Sequence, residues 1–162
     1  QEGNTATTIR PGGATEITTR HLDGKVRSVT GTGVVSRYYC YGVDANGHQW
    51  TQVFVGHTDS PRWEKTTRDL VGRIVCVEKP GFEGVETTRH DHDAQGRLIR
   101  TQAPGRAAIL YGYDALGRRT VLTDALGHAT TTVYDAAGRV VQRVQQLDAT
   151  TRATTTTARA PR

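Results

Sequence analysis

The densest group of side chains able to do chemistry is His90-Asp91-His92-Asp93. Two histidines one residue apart on a strand project from the same face and can chelate a metal. Asp93, however, opens a recurring turn, and no third ligand falls beside the pair, so the sequence assigns no metal and no cofactor. Repeated carboxylates such as Asp124 and Asp135 raise the question of Ca²⁺ at successive turns. Calcium loops concentrate several oxygen ligands in one turn, whereas each turn here offers one carboxylate and one basic residue. For nucleophilic catalysis Cys40, Ser28, Ser36 and Ser60 are available with six histidines, but none sits in an elbow or a nucleophile signature. Gly31-Thr32-Gly33 lacks the Lys and the strand–helix setting of a phosphate loop. The chain reads as non-enzymatic.

The pattern that absorbs these carboxylates is Asp-x-x-Gly-[Arg/His]. It occurs at Asp44-Gly47, Asp69-Gly72, Asp93-Gly96, Asp114-Gly117, Asp124-Gly127 and Asp135-Gly138, each Gly followed by Arg or His. Asp suits the first place of a type I turn because its carboxylate accepts backbone N–H groups, and Gly suits the place where the chain turns left-handed. The two together make a hairpin loop with a bulge. The Arg that follows is read as pairing with a carboxylate of the neighbouring hairpin, worth about 0–1 kcal/mol if exposed. Tyr113 and Tyr134 precede their turns, with Tyr111 two residues earlier, which suggests a packed column of rings worth about 0.2–1 kcal/mol per cross-strand pair. The functional alternative is a glycan-binding surface of Trp50, Trp63, Tyr111, Tyr113 and Tyr134.

The elements that carry these turns are strands. Asp-Gly at Asp23-Gly24 between alternating runs signals a hairpin. Gly33 to Val43 and Trp50 to Val55 are β-branched and aromatic, and Ile74-Val75-Cys76-Val77 is a strand with little exposure on either face. Lys79-Pro80-Gly81 reads as a strand break, and Gln102-Ala103-Pro104-Gly105 as another. Intervals of 25, 24 and 21 residues separate Asp44, Asp69, Asp93 and Asp114, while 10 and 11 separate Asp114, Asp124 and Asp135. The long interval is about twice the short one, as expected for one hairpin per repeat in a stacked array. Residues 14–148 form this array; 1–13 read as a flexible arm and 149–162 as a low-complexity Thr/Ala/Arg tail or linker.

Composition agrees. With 35% hydrophobic residues, two Phe and no Met, a thin or layered structure fits better than a deep core. Beginning at Gln1 without Met, the chain reads as a processed product or an excised piece. No apolar run is long enough to span a bilayer. The net charge is +5, but the arginines are dispersed and many follow an Asp by four residues, which argues against the clustered basic face of a nucleic-acid binder. Cys40 and Cys76 allow one disulfide or two thiols.

Tyr113-Asp114-Ala115-Leu116-Gly117-Arg118 through Tyr134-Asp135-Ala136-Ala137-Gly138-Arg139 closely resembles the YD-repeat, or Rhs-repeat, family. The likeness is strong from Thr67 to Val144, weaker from Gly33 to Thr66 and loose from Ala14 to Thr32. Val43, Arg68 and His92 stand where the family has Tyr. Members include Rhs toxins, the C component of insecticidal toxin complexes, wall-associated proteins and teneurins. The resemblance implies an all-β fold of stacked antiparallel hairpins forming a curved or spiralling sheet, which in large members closes into a hollow shell. The chain has too few repeats for such a shell and lacks the Asp-Pro-rich segment ahead of a toxin domain. The expectation is therefore a structural or scaffolding module of a secreted or cell-surface bacterial protein, able to assemble into a fibre or shell. Its expected partners are copies of itself or the rest of a larger repeat protein, without nucleic acid or membrane insertion. A carbohydrate-binding module and an excised shell-wall fragment of a toxin are the alternatives.

Overall fold

The computed structural model describes residues 4–146 and 151–156; the first residues of the expected arm and most of the expected tail lie outside these. The described residues hold fourteen strands and no helix: β1 (Thr5–Ile9), β2 (Thr15–Arg20), β3 (Val26–Thr30), β4 (Arg37–Val43), β5 (Gln49–Val55), β6 (Trp63–Arg68), β7 (Ile74–Gly81), β8 (Gly84–His92), β9 (Leu98–Gln102), β10 (Ile109–Tyr113), β11 (Arg119–Thr123), β12 (Ala129–Tyr134), β13 (Val140–Gln146) and β14 (Arg152–Thr156). They pair in sequence order, antiparallel. The fold is all-β, a stack of antiparallel hairpins. It divides into two compact units, Gln1–Thr87 and Thr88–Arg162.

Among the described residues no hydrophobic side chain is buried; only Ser60 and Thr67 are. The low apolar content has this structural counterpart: strands such as β6 (WEKTTR) and β12 (ATTTVY) are held by backbone ladders and by half-buried cross-strand contacts. Thr, Val and Tyr favour that pleated, half-exposed setting. Two exposed strands lie where the sequence suggests arm and tail, β1 and β14, both Thr-rich and exposed at every residue. A ladder needs backbone groups and not apolar side chains, so periodicity gives no sign of them. The expected strand break at Lys79-Pro80-Gly81 is corrected: β7 continues to Gly81, and the chain reverses at Phe82-Glu83. Pro80 is tolerated because it lies beyond Glu78, the last β7 residue in the β6 ladder. Cys40 and Cys76 sit on β4 and β7 as thiols, not joined in a disulfide.

Alternation of direction sorts the turns. In the first unit those opening at His21, Asp44 and Asp69 share one end of the hairpins, and in the second unit those at Asp93, Asp114 and Asp135 do. Asp124 turns at the opposite end of the second unit, which is why the interval halves around it.

Candidate functional site

The six Asp turns share one bonding scheme. At Asp114 the backbone N–H donates to the Arg118 carbonyl at 3.0 Å, and the Gly117 N–H donates back to the Asp114 carbonyl at 3.0 Å. Asp44-Gly47, Asp69-Gly72, Asp93-Gly96, Asp124-Gly127 and Asp135-Gly138 repeat it at 2.9–3.0 Å. The scheme places Gly117 and Gly138 at φ +79 and +80, which an L side chain adopts only at a cost. Asp114 Oδ1 accepts the N–H groups of Leu116 (3.0 Å) and Arg118 (2.9 Å), while Oδ2 accepts Arg118 Nε at 2.7 Å. Desolvation pushes the Asp114 carboxyl up, but these donors and the guanidinium charge outweigh it and leave the group below its ordinary value. Where His replaces Arg, the side chain stands farther off, 3.3 Å for both Asp44–His48 and Asp124–His128.

The same pair of backbone bonds closes two turns with no Asp at the front, His21–Lys25 and Arg10–Ala14. Their kinship with the Asp turns is not carried by Asp; in the β2–β3 hairpin it is signalled by Gly followed by a basic residue, Gly24-Lys25. Asp23 sits inside that loop and accepts the Lys25 N–H at 3.1 Å.

The arginine does more than expected, and with different partners. Its Nε goes to the Asp of its own turn, not to a neighbouring carboxylate, because Asp four residues earlier lies directly across the loop. That leaves the rest of the planar fork free to reach the next hairpin. Arg97 Nη1 donates to the Asp114 carbonyl at 3.3 Å and Arg118 Nη1 to the Asp135 carbonyl at 3.2 Å. The same guanidiniums lie over the rings of Tyr113 (4.8 Å) and Tyr134 (4.7 Å). The Tyr113 hydroxyl donates to the Leu98 carbonyl (2.8 Å) and the Tyr134 hydroxyl to the Arg119 carbonyl (2.9 Å). The Asp93 turn is thus clamped to the Asp114 turn, and that turn to the Asp135 turn, by one cation–ring contact and two hydrogen bonds each.

A third copy of this ring contact lies in the first unit. Lys25 sits 5.4 Å from the Tyr41 ring, and the Tyr41 hydroxyl donates to the Val26 carbonyl at 2.8 Å. In all three the ring comes sixteen residues after the cation, where extension of the β3–β4, β9–β10 and β11–β12 ladders sets the two opposite. The Tyr missing before Asp44 is therefore present at Tyr41, set back by Gly42-Val43. Where Arg precedes a turn instead, it caps that turn: Arg20 and Arg68 donate to the Gly24 and Gly72 carbonyls at 2.9 and 3.1 Å. Five hairpins of this kind carry an extra residue on the returning strand, Arg27, Val75, Ile99, Thr120 or Val141, six residues after the turn opens.

Of the other candidate aromatics, Trp50 lies against Gly42, where an added Cβ would meet its ring at 2.3 Å. Lys65 covers Trp50 at 5.0 Å. Arg119 stands 6.0 Å from the Tyr111 ring, and Trp63 pairs across the ladder with Phe54, which pairs with Tyr38. Four of the five rings proposed for glycan contact thus face a cation of their own chain. His90 Nδ1 lies 3.2 Å from Thr101 Oγ1, and burial, with His92 beside it, pushes the His90 imidazole down. No cluster of three metal-ligating residues occurs among the described residues.

Residues 92–129 and 113–160 match the family model described as RHS Repeat, the stretch that holds both Arg–Tyr clamps of the second unit. Among solved structures the chain is similar to the crystal structures of TcdB2-TccC3-Cdc42 and of TcdB2-TccC3. Each has a TM-score of 0.45 and 14% identity over 88% of this chain. The chain spans 9% of the length of either. No curated protein matches it.

Proposed function

The chain carries RHS repeats over residues 92–160, and from that premise we propose that it is a non-enzymatic structural module, a run of wall hairpins in a secreted or cell-surface bacterial protein. In this reading residues 14–148 act as one repeat array, continued by further repeats of a larger protein or by other copies of itself. The observation that carries it is the clamp. Arg97 grips Tyr113 and Asp114, and Arg118 grips Tyr134 and Asp135 by the same contacts. A device that joins two successive pairs of repeats in identical fashion suits addition of repeats, and it engages the Asp and Arg of those turns in structure. The repeated carboxylates each serve a turn in this scheme, so neither metal nor cofactor enters it.

The absence of a buried hydrophobic side chain among the described residues points the same way. A sheet whose strands lean only on their neighbours gains from every strand added to its edge. The test is sedimentation velocity over a wide concentration range, with negative-stain microscopy of the most concentrated sample. The expected result is species well above 17.7 kDa that appear as arcs, filaments or closed particles. A monomer at every concentration, with β1 and β14 amides as protected as those of β5 and β12, would overturn the reading.

A further inference from the structure

The arginines that close Asp turns are paired, and three arginines of the first unit that lie on or beside the strands are not. Arg73, Arg97, Arg118 and Arg139 each pair with the Asp of their own turn. Arg27, Arg37 and Arg62 form no ion pair among the described residues. Tyr39 stands apart from Tyr41, Tyr113 and Tyr134, which are tied by hydroxyl and by ring; among the described residues Tyr39, like Tyr38 beside it, is tied by neither. These four residues lie together. Tyr39 and Arg27 line a cleft of about 970 Å³ over β2–β5. Tyr39, Arg37 and Arg62 line a second of about 530 Å³ over β4–β7.

The second cleft has an aliphatic floor. Val53 and Val55 stand opposite Tyr39 and Arg37 in the β4–β5 ladder, and Pro61 and Pro80 line it too. The acid in this lining is Glu64, outnumbered by Arg37 and Arg62, while Lys79 is taken by Glu86 at 3.5 Å. In the first cleft Asp23 is already taken by Lys25 at 3.2 Å. We propose that this face of the first unit docks an acidic polypeptide segment whose carboxylates alternate with aliphatic side chains.

Charge and shape select that occupant. Guanidinium forks match carboxylates two bonds at a time, and the valine floor offers apolar area to the side chains between them. β4 and β5 lie inside the sheet between β3 and β6, so a segment on this face is held by side chains and not as an added edge strand. Of the rings lining the two clefts, Trp50 and Tyr41 already lie under lysines, and Tyr39 and Trp63 stand beside the valines as further apolar area for the segment's aliphatic side chains. A phosphate polyanion would use the arginines and leave the valines uncovered.

The test uses the whole chain and a fluorescein-labelled peptide alternating glutamate with leucine, read by anisotropy at physiological salt. Arg37→Glu with Arg62→Glu should weaken binding about tenfold or more, the scale of one charge-assisted hydrogen bond. Arg143→Glu with Arg152→Glu makes the same change of net charge on the second unit and should move the affinity by about twofold at most. Thermal melting checks that each variant folds, and Arg37→Lys with Arg62→Lys, which keeps the charge but loses the fork, should fall between. Equal loss in both Glu pairs would reduce the effect to overall charge and overturn the proposal. So would absence of binding, or a glutamate–serine peptide, heparin or single-stranded DNA binding as well as the glutamate–leucine peptide. None of these outcomes depends on whether the hairpins assemble.

Discussion

At the level of single residues, Asp and Gly in these turns fail in different ways. Gly117 and Gly138 hold φ near +80, so Gly117→Val or Gly138→Val forces a β-branched side chain into a left-handed backbone. The cost is about 1–2 kcal/mol per site, seen as a lowered Tm. Asp124→Asn keeps an oxygen for the Leu126 and His128 N–H groups and replaces only a 3.3 Å contact to a histidine. Its Tm should stay near that of the parent. Asp114→Asn gives up the 2.7 Å pair with Arg118 and should melt below Asp124→Asn; the reverse order would mean the guanidinium pair contributes nothing.

The same carboxylates set the acid limit. Each folded-state value lies below the ordinary 3.8, so the unfolded chain binds protons first as pH falls. The stabilisation is complete above 3.8 and is lost as pH drops through the folded-state values. Tm should be level near neutrality and decline below about pH 4, less steeply in Asp114→Asn. These turns were legible in the sequence because their bonds join residues two to four apart. The hairpin at Asp23-Gly24 was legible too, but not its kinship with the Asp turns, since its backbone takes the same path without Asp at the front.

The hairpin is the scale at which the clamp acts, and there the sequence said less. Arg97 and Tyr113 were each visible as members of a motif, but their contact depends on ladder register, which no single motif carries. Tyr113→Phe removes the hydroxyl bond to Leu98 and should cost about 0.5–1.5 kcal/mol. A double-mutant cycle of Arg97→Gln with Tyr113→Leu should return a coupling of about 0.5–1 kcal/mol, measured by urea titration. A coupling of zero would make the stacking incidental. The β4–β5 hairpin shows a second device, Trp50 laid over Gly42. A ring covering a cross-strand glycine restores the packing that glycine lacks. Gly42→Ala must push that ring away, which should shift Trp emission and lower Tm. The Tyr absent before Asp44 in the sequence is explained at this scale too: the hairpin is longer by Gly42-Val43, and the ring remains in register with Lys25.

For the molecule as a whole, stability has to come from neighbours. Low apolar content foretold a thin structure, and the described residues contain no buried hydrophobic side chain. What stayed hidden were β1 and β14, whose exposed Thr-rich strands carry no pattern that separates ladder from coil. The strand contacts among the described residues run between sequence neighbours alone, as in repeat proteins whose stability sums local and nearest-neighbour parts. Damage should then remain near its origin. Gly42→Ala, placed in the first unit, should raise amide exchange most in β4 and β5, less in β3 and β6, and leave β10–β13 at parent levels. Hydrogen exchange read by mass spectrometry resolves this strand by strand, and the fall-off with strand distance measures the coupling between adjacent hairpins. Equal loss of protection from β2 to β13 would mean that the chain unfolds as one cooperative body, with more holding it together than the contacts between adjacent strands.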